Sequence, residues 1–174
     1  NRFDVNLDGI EYDAKFVFEA VGYNVEGSEI GAAFGMEQLK KLQGNIAIRK
    51  ENFDKQCDFF DKYKNYFSNP IERDNINTAW LAFPILINKN APFSRKEFQI
   101  YLEKRNIQTR VVFTGNIIRQ PMMKGVKYKV VDNGYPNSDA VMERGVLLPL
   151  HHGLTANMFE RLHNTISEFL EGFK

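Results

Sequence analysis

The side chains able to do chemistry in this sequence are few. Cys57 is its one cysteine, and His151, His152 and His163 are its three histidines. Adjacent residues in an extended segment point to opposite faces, so His151 and His152 do not chelate one ion between them. His163 belongs to another element and has no H-x-x-x-H partner, so no metal site is predicted. The His151-His152 pair reads first as a local hydrogen-bonding feature and second as a substrate contact. Cys57 falls on the apolar side of a charged helix and reads as a small buried hydrophobe. A lone cysteine excludes an intrachain disulfide and a thiolate-built metal site. Gly31 to Gly35 is not a phosphate loop, because no strand precedes it and no G-K-S or G-K-T follows. No Ser-His-Asp or paired-carboxylate arrangement is legible.

Two segments carry more. Gly22-Tyr23-Asn24 lies just ahead of Ser28, a good helix N-cap. Asn tolerates tight turns and presents an amide donor to an anion, so this is either a plain turn or an anion contact. The second segment runs from Thr109-Arg110 through Phe113-Thr114-Gly115-Asn116 to Arg119-Gln120-Pro121. Arg110 stands in an otherwise apolar strand. Such an arginine calls for an anionic partner, either a structural carboxylate or a ligand.

The elements that must position these residues follow from patterning. The chain has 174 residues, a length for one domain with an arm. Its 43% hydrophobic content excludes disorder, and 23 Lys plus Arg against 22 Asp plus Glu argues against a charge-driven nucleic-acid binder. No apolar run approaches the ~18 residues that cross a bilayer, and no secretory signal is present. The first 27 residues are irregular, with a strand-like stretch at Lys15 to Ala20. A helix is predicted from Ser28 with Ile30, Ala33, Phe34, Leu39 and Leu42 on one face, and Gly44 bends or ends it. A second helix is predicted over Ile46 to Tyr66. Strands are predicted at Thr78 to Ile87, where Pro84 implies an edge or a bulge, at Gln108 to Phe113 and at Val146 to Leu150. Ser94 and Glu97 form a capping box for a helix from Arg95 to Lys104. Ser138 caps a short helix to Arg144, and Thr155 caps a final one with Phe159, Leu162, Ile166, Phe169 and Leu170 as its apolar stripe. Thr114 to Asn133 is a long excursion of the kind that serves function or docks on a partner. The expected fold is α/β (α+β): a small sheet with helices packed on one face, preceded by long helices and an N-terminal arm.

The combined segments resemble the C-terminal half of the pyridoxal-phosphate-dependent nucleotide-sugar aminotransferases and dehydrases, the DegT-type family of fold type I. The resemblance rests on Gly22-Tyr23-Asn24, then Ala32-Ala33, Gln38-Leu39 and Arg49 in the helical region. It continues with Thr109-Arg110, Gln120-Pro121, Leu148-Pro149-Leu150 and Gly153-Leu154-Thr155. A finer likeness is to the 4-keto-6-deoxyhexose 3-dehydrase branch. It is carried by Arg2-Phe3, by Tyr12-Asp13-Ala14-Lys15-Phe16, and by Phe113-Thr114-Gly115-Asn116-Ile117-Ile118-Arg119-Gln120-Pro121.

This resemblance implies a division into an N-terminal arm (residues 1–27), connecting helices (28–66) and a small C-terminal domain (67–174). It implies that Asn24 donates to the cofactor phosphate of a neighbouring subunit in a homodimer, and that Phe16, Arg110 and Asn116 contact the nucleotide-sugar substrate. Glu26 departs from the family, which commonly has a basic residue there. The pyridoxal (or pyridoxamine) phosphate ring site and the catalytic base, lysine in aminotransferases and histidine in dehydrases, lie upstream of Asn1. Any iron–sulfur cluster would also lie outside this chain. The expectation is therefore a piece of a longer cytoplasmic enzyme of cell-surface polysaccharide or lipopolysaccharide sugar synthesis, inactive by itself, with neither nucleic acid nor membrane as a partner. The alternatives are an aminotransferase of the same family and a non-catalytic interaction domain.

Overall fold

The structure is a computed structural model that describes residues 5–7, 10–12, 17, 20, 22–23 and 25–173. Arg2-Phe3, Asp13 to Phe16 and Asn24 lie outside the described residues, as does most of the predicted strand at Lys15 to Ala20. The chain forms two compact units, residues 1–40 and 41–174.

The first unit holds a hairpin of β1 (Val5–Leu7) and β2 (Ile10–Tyr12), paired antiparallel with Leu7 opposite Ile10. The sequence between them, Asp8-Gly9, is a dipeptide that favours two-residue hairpin connections. The unit also contains the start of α1 (Glu29–Phe60), where Ser28 Oγ accepts the Gly31 N–H at 3.4 Å. The helix runs on through Gly44, contrary to the predicted break. A helix-interior glycine costs roughly 1 kcal/mol relative to alanine, and without a neighbouring proline that does not end a helix of this length. The predicted apolar face is present, but Ile30, Phe34 and Leu39 are exposed.

The second unit is built on a four-stranded antiparallel sheet in the order β3-β4-β6-β5, from β3 (Phe67–Ser68), β4 (Ala82–Ile87), β5 (Arg110–Val111) and β6 (Gly145–Pro149). The β4 strand alternates buried and half-buried residues, the period of a sheet with one face in the core. Pro84 pairs with Leu147 of β6, although β4 is interior in the sheet order. The β3 strand reaches only Leu86 and Ile87, so the side of β4 where Pro84 lacks an N–H has no strand beside it. Two strands are shorter than predicted: β4 starts at Ala82 and β5 spans two residues.

The helices supply the other half of the core. Phe53 and Phe60 of α1 meet Phe83 of β4, with ring centroids 5.5 and 5.6 Å apart. Phe98 and Leu102 of α2 (Arg95–Glu103) are fully buried. The predicted capping box of Ser94 and Glu97 is present in full. Thr155 caps α4 (Ala156–Glu171) through its hydroxyl, and Phe159, Leu162, Ile166, Phe169 and Leu170 are all buried. Burying each such side chain contributes about 1.5–3 kcal/mol. The short helix α3 (Pro136–Arg144) starts two residues before the predicted Ser138 cap. Pro136 occupies its first turn, where a missing N–H costs nothing. Cys57 is half-buried against the core, and burial pushes its thiol up to about 11.

Candidate functional site

The Arg110 segment is anchored from its N-terminal side. Asn106, at φ 57°, ends α2 in the left-handed conformation, and the Ile107 N–H donates to the Leu102 carbonyl. Thr109 is buried. Its N–H and its hydroxyl both donate to Glu103 Oε1, at 2.6 and 3.1 Å, and its hydroxyl accepts from Gln99 Nε2 at 3.0 Å. With Thr109 held inward, the next residue points outward. Arg110 is exposed on the edge strand β5, opposite Leu147, and makes no ion pair among the described residues. Of the two partners the sequence allowed, the structural carboxylate is absent among the described residues.

The following loop is anchored on α3. Gly115 adopts φ +70° and lies so close to Met142 that a Cβ there would meet the Met142 Cβ at 2.6 Å. Asn116 is buried. Its Nδ2 donates to Asp139 Oδ1 at 2.7 Å and its Oδ1 accepts the Ile118 N–H at 3.3 Å, starting a 3-10 turn over Ile117–Arg119. Arg119 grips the same carboxylate at both oxygens, with Nη2 2.6 Å from Oδ2 and Nε on Oδ1. The Arg119 guanidinium, and then the Asn116 amide, hold the Asp139 carboxyl down at about 2. Gln120 Nε2 donates to the Thr114 carbonyl at 3.0 Å. Phe113 is left almost fully exposed.

The predicted contacts differ in how their side chains are engaged. Arg110 has its donors free among the described residues, whereas both ends of the Asn116 side chain are engaged, one by Asp139 of α3 and one within the loop. Phe16 and Asn24 lie outside the described residues. Asp139 and Glu103 did not emerge from the sequence. Asp139 had a weak signal, an acid in the first turn of a helix, and Glu103 had none.

The histidines divide in the same way. His163 stacks on Phe59 at 3.9 Å and meets Gln56 Oε1 through Nε2 at 3.0 Å, and burial pulls it down to about 4. His151 Nδ1 accepts the Gly153 N–H at 3.0 Å, and the His151 carbonyl accepts from Asn52 Nδ2 at 3.1 Å. That is a local hydrogen-bonding role for His151 alone: His152 Nδ1 has no partner among the described residues. The pair lies beyond the end of β6 at Pro149, so strand alternation does not apply, and the two rings sit 4.0 Å apart rather than on opposite faces. No group of metal-ligating side chains forms among the described residues, and no described helix is long and apolar enough to cross a membrane. A cavity of about 230 Å³ lies between the end of α2 and α4, lined by Ile107, Leu154, Phe159 and Leu162 among others; no predicted site residue lines it.

The chain belongs to the DegT/DnrJ/EryC1/StrS aminotransferase family, which matches residues 5–167. It is 32% identical over 171 residues to the dTDP-4-dehydro-2,6-dideoxy-D-glucose 3-dehydratase of Saccharopolyspora spinosa, covering 97% of this chain and 37% of that protein. It is 31% identical over 174 residues to the lipopolysaccharide biosynthesis protein RfbH of Salmonella typhimurium, covering 99% and 39%. Among solved structures, Escherichia coli GDP-4-keto-6-deoxy-D-mannose-3-dehydratase with bound hydrated pyridoxal phosphate superposes with a TM-score of 0.72 at 28% identity, over 87% of this chain and 38% of that one. The chain thus spans about two-fifths of the length of these relatives. The small antiparallel sheet with its helices matches part of the fold of that pyridoxal-phosphate-bound enzyme.

Pyridoxal phosphate is implied by the family. A phosphate is held by several converging donors, commonly backbone N–H groups at a helix start. Arg110 is a single exposed guanidinium on an edge strand, and the residue assigned to the phosphate, Asn24, lies outside the described residues. Arg110 by itself does not fit the cofactor phosphate.

Proposed function

We propose that this chain is the C-terminal part of a pyridoxal-phosphate-dependent 3-dehydratase acting on a nucleotide-linked 4-keto-6-deoxyhexose in cell-surface sugar synthesis. One observation carries the reading: 97% of the chain aligns, at 32% identity, with a relative named as a 3-dehydratase of this substrate type. The Phe113 to Pro121 segment agrees with it. In that role residues 1–27 are the arm, 28–66 the connecting helices and 67–174 the small domain. Asn24 donates to the phosphate of the cofactor in the neighbouring subunit of a homodimer, and Phe16 projects toward the same site. Arg110 supplies the charge for an anionic substrate, and Asn116 shapes the substrate loop. The whole enzyme works in the cytoplasm, and the piece by itself is inactive.

A second reading rests on its own observation. The chain is 33% identical over 150 residues to the dTDP-4-amino-4,6-dideoxy-D-glucose transaminase of Escherichia coli. The two readings differ in the base: a lysine that bonds the cofactor, or a residue that cannot. Borohydride treatment of the cofactor-loaded full-length protein, followed by intact mass, separates them. The dehydratase reading expects bound cofactor and no covalent adduct. A phosphopyridoxyl adduct overturns it in favour of the aminotransferase. A full-length protein that takes up no cofactor overturns both and leaves a non-catalytic interaction domain.

A further inference from the structure

We propose that Arg49, His151 and His152 form a receptor for an oxyanion, a carboxylate or a phosphate, that no described residue of this chain supplies. The α1 helix is stitched to the chain leaving β6 one turn at a time. Gln56 Nε2 donates to the Pro149 carbonyl at 3.2 Å, and Asn52 Nδ2 donates to the His151 carbonyl at 3.1 Å. Arg49 is three residues before Asn52, on the same face of the helix, so it arrives at the level of His152. The positive charge of Arg49 is felt by the His152 ring, whose pKa is lowered by burial first, then by His151 and Arg49.

Arg49 is unlike its neighbours on the helix. Lys50 is paired with Asp54 and Glu72, and Lys55 with Glu51. Arg49 makes no ion pair or hydrogen bond among the described residues, and its Nε is buried without an acceptor. A guanidinium stays charged at any pH a protein meets, so a buried N–H on it is costly to leave unmatched. His152 Nδ1 is likewise buried and unpartnered.

His151 completes the donor set. Its Nδ1 accepts the Gly153 N–H, so the neutral ring carries its proton on Nε2, and the ring is exposed. Gly153 permits this closeness, since a Cβ there would sit 3.1 Å from Nδ1. The His151 and His152 rings lie 4.0 Å apart, so the two imidazoles form one cluster. A fixed cation with imidazole N–H groups and no carboxylate of its own suits a ligand that brings acceptor oxygens and negative charge.

The test is a histidine-ring NMR titration of the 174-residue chain at neutral pH. Sodium acetate and inorganic phosphate are added separately, with ionic strength held constant by sodium chloride. The three histidines give three ring signals. Those of His151 and His152 are expected to move saturably, while that of His163, stacked on Phe59, stays in place and reports the fold. The tighter anion names the source: acetate for a protein carboxylate, phosphate for a phosphorylated ligand. Arg49→Gln is expected to weaken binding about tenfold or more, and Arg49→Lys to recover part of it. If the Gln variant loses the His163 signal position, the Lys variant carries the comparison. Signals unmoved by both anions, or an Arg49 variant that binds as the parent does, overturn the proposal. Because the chain itself is tested without cofactor or sugar, the result is independent of which reaction the full-length enzyme performs.

Discussion

The Glu103 carboxylate holds Thr109 by two hydrogen bonds, 2.6 Å from its N–H and 3.1 Å from its hydroxyl. Glu103 ends α2 and Thr109 precedes β5, so one carboxylate spans the loop between them. This contact turns Thr109 inward and leaves Arg110 facing out. Glu103→Ala removes the acceptor while Thr109 stays buried, so it is expected to destabilise by about 1–3 kcal/mol. Glu103→Gln keeps an acceptor oxygen and is expected to cost less. Urea midpoints of the two variants at one pH check the ordering; equal midpoints would show that the carboxylate is not what holds the strand start.

Gly115 is predicted to be irreplaceable. Its φ of +70° disfavours any L side chain, and a Cβ would come within 2.6 Å of the Met142 Cβ and 3.0 Å of its Cα. The obstacle on Met142 is the base of the side chain, which cannot swing away. Gly115→Ala is therefore expected to cost about 1–3 kcal/mol, with loosening of the segment anchored on α3. Amide hydrogen exchange should rise at Asn116 to Gln120 more than in β4 or β6. Uniform protection across the chain would argue that the loop and α3 are independent.

The fold was legible where local chemistry and patterning agreed. The Ser94–Glu97 box, the Thr155 cap and the α4 stripe are local signals, and each appears as read. Gly44 misled because a glycine lowers helix stability without forbidding a helix, and the flanking sequence carried α1 through. Ser138 misled because Pro136 is the stronger start signal, with its fixed φ ready for the first turn. The site was less readable for a different reason. Arg110 and Asn116 look alike in sequence, as polar residues in an apolar segment. Their difference lies in Asp139, which is 23 residues from Asn116 and engages it. Nothing local to Asn116 reports that partner.

The Asp139–Arg119 pair makes stability sensitive to acid. The folded carboxyl is held down at about 2 against an ordinary value of 3.8. A depressed acid contributes stability that is present above the unfolded value and is lost as pH falls from about 4 toward about 2. Asp139→Asn lacks this proton uptake. The stability gap between the parent and the Asn variant, measured by urea unfolding, is expected to be widest above pH 4 and to shrink toward pH 2. A gap that stays constant with pH would mean that the charge on Asp139 contributes nothing.

His163 acts at higher pH. Burial against Phe59 and Phe159 pulls its folded value to about 4, from 6.5. The unfolded chain therefore binds a proton that the folded chain refuses between those values. Stability is expected to be unaffected by this group above pH 6.5 and to fall as pH drops from 6.5 toward 4. His163→Asn removes the titration but keeps a polar group near Gln56, with some loss of stacking at all pH. Thermal midpoints across pH 4.5 to 7.5 should slope for the parent and flatten for the variant over that window. Parallel curves would place the ring in a solvated setting, at odds with its stack on Phe59.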